Sequence, residues 1–253
     1  MPTAQKIHTH ELIITNTPAQ EAGEQINSII QEHTGDVICL LSGGSALDVV
    51  EHIRPGKKCF HETCKQAVCE KSECRTIFML GDERGSREPE TNNYLQLLSR
   101  YPDHPILEHL IDTVPNVNES LKDFSIRIEE NFFSIWTALQ NPKIIYVLGV
   151  GTDGHTAGIF PGESGWFRKT YQDDLTYVPI TLHRLTIDSR ASFTPTWILH
   201  NVDELIGYVV GAHKQEILTQ LNTEDKQLNE RPAEILKLHK RTTVYTDQQV
   251  EPT

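Results

Sequence analysis

The sequence predicts an α/β protein: a Rossmann-like, doubly wound, mostly parallel sheet in a single domain covering residues 1–253. Three observations carry this. Four short apolar runs are nearly continuous rather than alternating, as strands covered on both faces should be. Each run is followed at once by glycine or by Ser-Gly-Gly. Stretches with helical apolar spacing lie between the runs, so strand, glycine turn and helix recur, a pattern that winds right-handed around a parallel sheet. No Pro/Gly/Ser-rich linker, internal repeat or low-complexity tract divides the 253 residues, and one domain is the economical reading.

The elements follow in order. Ala19, Ala22, Ile26, Ile29 and Ile30 share one face of a first helix. Val37 to Leu41 is the first strand, and Ser42-Gly43-Gly44-Ser45 then opens a helix starting near Ala46. Thr76 to Leu80 is the second strand, ending in Gly81-Asp82-Glu83-Arg84. Leu121, Phe124, Ile128, Phe132, Ile135 and Leu139 line one face of a long helix, for which Ser120 and Asp123 supply a capping pair. Ile144 to Leu148, the third strand, runs into the glycine-rich stretch from Gly149 to Thr156. Leu205 to Val210, the fourth, precedes Gly211-Ala212-His213-Lys214 and a helix burying Ile217, Leu218 and Leu221. A helix from Pro232 to Lys240 and a strand from Thr242 to Tyr245 complete the chain, and the last residues are expected to fray.

Charge narrows the partners. Against 23 Lys+Arg stand 35 Asp+Glu, a formal net charge of −12 without a basic cluster, which argues against a nucleic-acid or anionic-membrane surface. An anionic small molecule stays compatible, because a few local cations overcome a global charge. No apolar run approaches the ~20 residues of a membrane span. Met1 to Asn16 lacks the basic start and apolar stretch of a signal peptide, so a cytoplasmic protein is expected. Cys39, Cys59, Cys64, Cys69 and Cys74 make an odd count that favours free thiols in a reducing compartment. The last four recur every five residues, matching neither the paired spacing of zinc ligands nor one helix face. Neither a metal nor a cofactor is expected.

Reactive residue types gather at the strand ends, where glycine turns and helix N-termini expose unpaired backbone N–H groups. Gly43 and Gly44 let the backbone approach an anion, and Ser42 and Ser45 add hydroxyl donors, although an ordinary strand-to-helix turn reads the same way. Asp153 and His155, one residue apart in a glycine-rich loop, are poorly explained by packing. A helix start capped by Asp153 with a solvated His155 is the bland alternative. Asp82, Glu83 and Arg84 suit a surface ion-pair cluster as well as a site. Lys214 in a first helical turn opposes the macrodipole unless an anion is near, yet a solvated lysine accounts for it too.

The combination of Ser42 to Ser45, Asp82 to Arg84, Asn92-Asn93-Tyr94 and the stretch from Gly149 to Gly162 resembles the 6-phosphogluconolactonase family, in the superfamily that also holds glucosamine-6-phosphate deaminases. The resemblance runs from the first strand to Lys214, and the DGHTA-x-x-FPG stretch is its specific part. It implies a Rossmann-like fold and hydrolysis of a phosphorylated sugar lactone, with His155 as the general base that activates water. Asp153 would orient that base or the substrate, and Arg84 would lie beside the lactone, with Asp82 counted in the same catalytic group. Ser42, Gly43, Gly44 and Ser45 correspond to the phosphate loop, joined by Lys214 and by Arg190 on a strand, with Arg184 as the competing arginine.

This chain departs from the family pattern at Ala46-Leu47, in the stretch from Gly85 to Glu90, in the cysteine-bearing segment 59–74, and at Ser192 near Arg190. A δ-lactone needs a positioned water, a base that titrates near neutrality and a stabilised oxyanion, and histidine meets the second need. No nucleophile elbow is present, so direct water attack is expected rather than an acyl-enzyme. Two other readings stand beside this one. A deaminase would place a ring-opening glutamate where this chain has Phe160. A sugar-phosphate sensor of a transcription regulator would need a DNA-binding segment, whereas the chain begins almost directly with its α/β unit.

Overall fold

The computed structural model describes residues 3–7, 10–55, 75–139, 141–182 and 189–250. Seven strands form the main sheet: β1 (Thr3–Ile7), β2 (His10–Ile14), β3 (Val37–Leu41), β4 (Thr76–Leu80), β6 (Lys143–Gly149), β9 (Glu204–Tyr208) and β10 (Thr242–Thr246). Their order is β1-β2-β10-β9-β6-β3-β4, and all pairs are parallel except β1 with β2. The four predicted apolar strands are therefore the adjacent set β9, β6, β3 and β4, and the predicted strand from Thr242 to Tyr245 is β10 beside β9. A second, antiparallel sheet joins β5 (Asp82–Arg84), β8 (Ser189–Phe193) and β7 (Tyr177–Thr181) in the order β5-β8-β7.

The two faces of the main sheet carry separate apolar cores, as the period-2 alternation of strands requires. Val37, Cys39, Leu41, Ile145 and Val147 pack with α1 (Pro18–Glu32) through Ala22, Ile26 and Ile30, and with a 3₁₀ segment, Gly44–His52, through Leu47 and Val50. Ile38, Leu40, Ile144, Tyr146 and Leu148 face the other way, toward α3 (Leu121–Ala138), α5 (Pro195–Asn201), α6 (Gln215–Thr223), α7 (Ile235–Leu238) and the second sheet. Helices on both faces make the sheet doubly wound. No helix among the described residues is long and apolar enough to cross a membrane.

Local chemistry explains the boundaries. Ser120 Oγ accepts from Asp123 N at 3.1 Å and caps α3, and Asn92 Oδ1 accepts from Leu95 N at 2.9 Å to cap α2 (Asn93–Arg100). The helix expected near Ala46 is instead the 3₁₀ segment, whose opening glycines and β-branched Val49 and Val50 weaken α-helix. The helix expected from Pro232 to Lys240 is shorter, a 3₁₀ turn over Pro232–Glu234 followed by α7. The remaining helix, α4 (Ser164–Thr170), follows the glycine-rich loop.

Because β3, β4, β6 and β9 are parallel, their carboxyl ends share one edge of the sheet. Ser42 N donates to Val147 O at 3.0 Å and Gly81 N to Leu41 O at 2.9 Å, so the ladders run right up to the turns. Immediately past Gly81 the chain leaves the main sheet and pairs as β5 with β8. That change of sheet carries Asp82, Glu83 and Arg84 across the strand ends.

Candidate active site

The loop after β6 is a wound turn rather than a helix start. Gly151 N donates to His155 O at 2.8 Å, Gly154 N to Gly151 O at 3.0 Å, and Thr156 Oγ1 to Gly149 O at 2.7 Å. The next helix begins only at Ser164, which removes the reading of Asp153 as a helix cap. Asp153 Oδ1 instead lies 2.5 Å from His155 Nδ1 and accepts from His155 N at 3.1 Å. The imidazole lies over Gly151, where any Cβ would overlap its Nδ1 and come within 2.6 Å of Asp153 Oδ1. Burial pushes the Asp153 carboxyl up, but the hydrogen bond and charge of His155 outweigh it and hold the group at about 2. Asp153 is thus the anion that fixes the ring through Nδ1, which leaves Nε2 outside that bond.

The small sheet supplies the second group. Asp82 pairs with Ser192 and Arg84 with Arg190, so these four side chains share one face of the β5–β8 ladder. Two arginines directly opposite one another repel unless a carboxylate or an anion lies between them. Asp82 provides the carboxylate: burial pushes it above the ordinary carboxylate range, opposed by the charges of Arg84, Arg190 and His155 and by the neighbouring Ser42 hydroxyl. Asp82 and Glu83 are 5% and 0% exposed, so they are no surface ion-pair cluster. Glu83 turns away from the site and accepts from Asn93 N at 2.7 Å, Tyr94 N at 2.9 Å and Thr113 Oγ1 at 3.2 Å, which ties β5 to α2.

The phosphate-loop candidates divide. Ser42 is buried against both Asp82 and Tyr146, Gly43 packs on Asn93, and Gly44 and Ser45 are exposed at the mouth. Lys214 ends the 3₁₀ turn Ala212–Lys214 and is half-buried; burial pulls its ammonium below the usual range while Asp153 opposes this. Arg190 is buried on β8, with its guanidinium 6.0 Å from the centroid of the Phe160 ring. Arg184 and Cys59, Cys64, Cys69 and Cys74 lie outside the described residues. Cys39 is fully buried in β3, and burial pushes its thiol up to about 12.

Sequence reasoning missed several members of the site. Asn93 Nδ2 donates to Asp82 O at 3.0 Å and Oδ2 at 3.3 Å, Tyr146 rises from β6 beneath Gly81, and Arg100 reaches Asp48 Oδ1 at 2.7 Å and Gly44 O at 3.4 Å. Only the Asn92-Asn93-Tyr94 motif signalled any of them. Seven buried side-chain polar atoms among the described residues lack a well-formed hydrogen bond, and five cluster here: Ser42 Oγ, Asp82 Oδ1, Arg84 Nε, Asn93 Oδ1 and the Tyr146 hydroxyl. Buried polar groups are normally satisfied, so such a concentration marks a place completed by a polar ligand or water. No group of three or more His, Cys, Asp or Glu among the described residues is placed to hold a metal ion.

Fold and site together define a doubly wound α/β protein with a histidine–carboxylate pair and a set of cations at the carboxyl ends of its parallel strands. The chain belongs to the glucosamine-6-phosphate isomerase/6-phosphogluconolactonase family, whose model matches residues 13–245. It is 27% identical over 205 residues to a 6-phosphogluconolactonase of Chlamydia muridarum, covering 77% of this chain and 68% of that one. Among solved structures it resembles the 6-phosphogluconolactonase of Plasmodium vivax, with TM-score 0.68, 17% identity, and 96% and 92% of the two chains covered. A 6-phosphogluconolactonase of Shewanella baltica gives TM-score 0.68 at 18% identity over 93% and 94%. A monomeric glucosamine-6-phosphate deaminase shares the fold as well, with TM-score 0.65 at 17% identity over 94% and 96%.

Proposed function

We propose that this chain hydrolyses 6-phospho-D-glucono-1,5-lactone to 6-phosphogluconate, using water activated by His155. The observation that carries the reading is the 2.5 Å contact between His155 Nδ1 and Asp153 Oδ1 on a ring whose side chain stays 35% exposed. With Nδ1–H committed to Asp153, the Nε2 lone pair takes a proton from water as the water oxygen bonds to the lactone carbonyl carbon. Asp153 stabilises the imidazolium that forms. Arg84, beside Asp82 on β5, offsets the charge developing on the carbonyl oxygen. Collapse of the tetrahedral intermediate breaks the ring C–O bond, and the imidazolium returns its proton to the departing ring oxygen.

The phosphate lies away from the reacting carbon and supplies orientation. Ser42, Gly43, Gly44 and Ser45 present hydroxyls and backbone N–H groups at the start of the 3₁₀ segment, with Lys214 and Arg190 as the cations. A deaminase would need an acid–base group for sugar ring opening at position 160, where Phe160 is 4% exposed and apolar. The test is to generate the lactone enzymatically and follow its disappearance. Decay well above the spontaneous rate is expected, with no ammonia released from glucosamine 6-phosphate. Catalytic ammonia release with lactone decay no faster than in buffer would overturn the assignment.

A further inference from the structure

We propose that Phe160 is a positioning residue, whose ring holds the His155 imidazole and the Arg190 guanidinium in fixed relation across the site. The kinetic part of this proposal rests on the reading of His155 as the general base. The two rings are stacked, with centroids 4.7 Å apart and planes 22° from parallel. Asp153 grips one edge of the imidazole at Nδ1, which restrains the ring at a single point. A flat neighbour across its face stops rotation about the Cβ–Cγ bond and so fixes where Nε2 aims. The same aromatic ring lies 6.0 Å from the Arg190 guanidinium, within reach of a cation–π attraction.

The ring is itself held. Phe160 is 4% exposed, and its N–H donates to the Tyr171 hydroxyl at 3.0 Å while that hydroxyl donates to Gly158 O at 3.0 Å. Tyr171 is 3% exposed and packs on Phe167, with ring centroids 4.7 Å apart, so α4 anchors the platform from behind. At the far end of the segment Gly162 N donates to Asn229 O at 2.8 Å. The charged groups around the stack are Asp153 on its own loop, Asp82 and Arg84 on β5, Arg190 on β8, and Lys214, whose charge reaches Asp153.

The test compares Phe160→Leu, which keeps bulk but loses the aromatic face, with Phe160→Tyr, which keeps that face. In the ligand-free protein the carbon-bound ring protons of His155, shielded by the stacked ring, are to be followed by NMR. Phe160→Leu is expected to move them downfield and Phe160→Tyr to leave them in place. In lactone hydrolysis Phe160→Leu is expected to lower kcat by ~10–100-fold, the scale of a small misplacement of a reacting group, with a severalfold rise in KM. Phe160→Tyr should stay within about threefold of wild type in both constants. If Phe160→Leu does not fold, Tyr171→Phe carries the test, since it removes the hydroxyl bridge and keeps both rings. Its His155 protons are expected to move downfield as well. Unmoved His155 protons in the folded variant overturn the positioning role, as does a Phe160→Tyr variant as impaired as Phe160→Leu. Downfield-moved His155 protons in Tyr171→Phe, which keeps the Phe160 ring, in a protein whose wild type lacks lactonase activity support the positioning role and overturn the lactonase reading instead.

Discussion

Replacing Gly43 by alanine is expected to damage the site through one identifiable neighbour. A Cβ at Gly43 would overlap the Asn93 carboxamide and lie 2.7 Å even from its Nδ2. That carboxamide is fully buried and cannot swing into solvent. Moving it breaks the 3.0 Å bond to Asp82 O and the 3.3 Å bond to Asp82 Oδ2. A neutral bond contributes about 1 kcal/mol and one to a charged group about 2, so Gly43→Ala should lose about 3 kcal/mol. For a chain of this size that is a fall in Tm of roughly 6–12 °C, read by calorimetry or circular dichroism. Activity should fall too, because Asp82 loses a donor. Gly44→Ala is the control: its φ is +68° but nothing lies within 4 Å of its Cβ position, so only backbone strain of about 1–2 kcal/mol applies. Combining Gly43→Ala with Asn93→Ala should cost less than the two separately, since the second removes the obstacle to the first. A Gly43→Ala protein with wild-type Tm, or a strictly additive double variant, would refute the reasoning.

His155→Asn is expected to lower kcat by at least ~10²-fold with little change in KM, measured by lactone decay, because a general base is removed and binding groups are kept. Lys214→Ala and Arg190→Ala should each raise KM for the phosphorylated lactone about tenfold or more, and neither should matter for unphosphorylated gluconolactone. Stability should also report on Glu83. Burial pushes its carboxyl up to about 7, against the opposing amides of Arg84, Asn93 and Tyr94. The folded state therefore binds the extra proton, so the contribution of Glu83 to stability is fully present below the ordinary value near 4.5 and falls as pH rises toward 7, by on the order of 3 kcal/mol. Denaturant titrations at pH 5 and pH 8 read this, and Glu83→Gln should flatten the difference.

The parallel sheet was legible because its central strands are buried on both faces, and unbroken runs such as Ile144 to Leu148 leave little else for the chain to be. The small antiparallel sheet was not. Its β5 is three charged or acidic residues, Asp82 to Arg84, and β8 reads Ser-Arg-Ala-Ser-Phe. These residues are strands because of the partners they meet, and no local propensity announces them. The strand β2, His10–Ile14, went unseen for a related reason: its apolar half is short, and its place is set by β10, a strand over 200 residues away in sequence.

The same division explains the site. Glycine loops and the Asp153–His155 pair are local features, so sequence displayed them; Asn93 and Tyr146 matter only because distant elements bring their side chains beneath Asp82, and Phe160, though near His155 in sequence, stacks on it only because the loop folds back. Cations tell the story from another side. The chain carries −12 overall, yet Arg84, Arg190 and Lys214 converge on a region whose carboxylates are Asp82 and Asp153. Charges farther than about 8–10 Å are screened at physiological salt, so an entering anion feels these three cations and two carboxylates more than the acidic exterior. Asp82 is the adjustable partner in that balance. Its burial makes it an acid that ionises reluctantly, and its two arginines hold the negative charge in place only while no stronger anion competes for them. A phosphorylated ligand that takes Arg190 would weaken that hold and raise the proton affinity of Asp82, coupling ligand binding to a proton at the floor of the site.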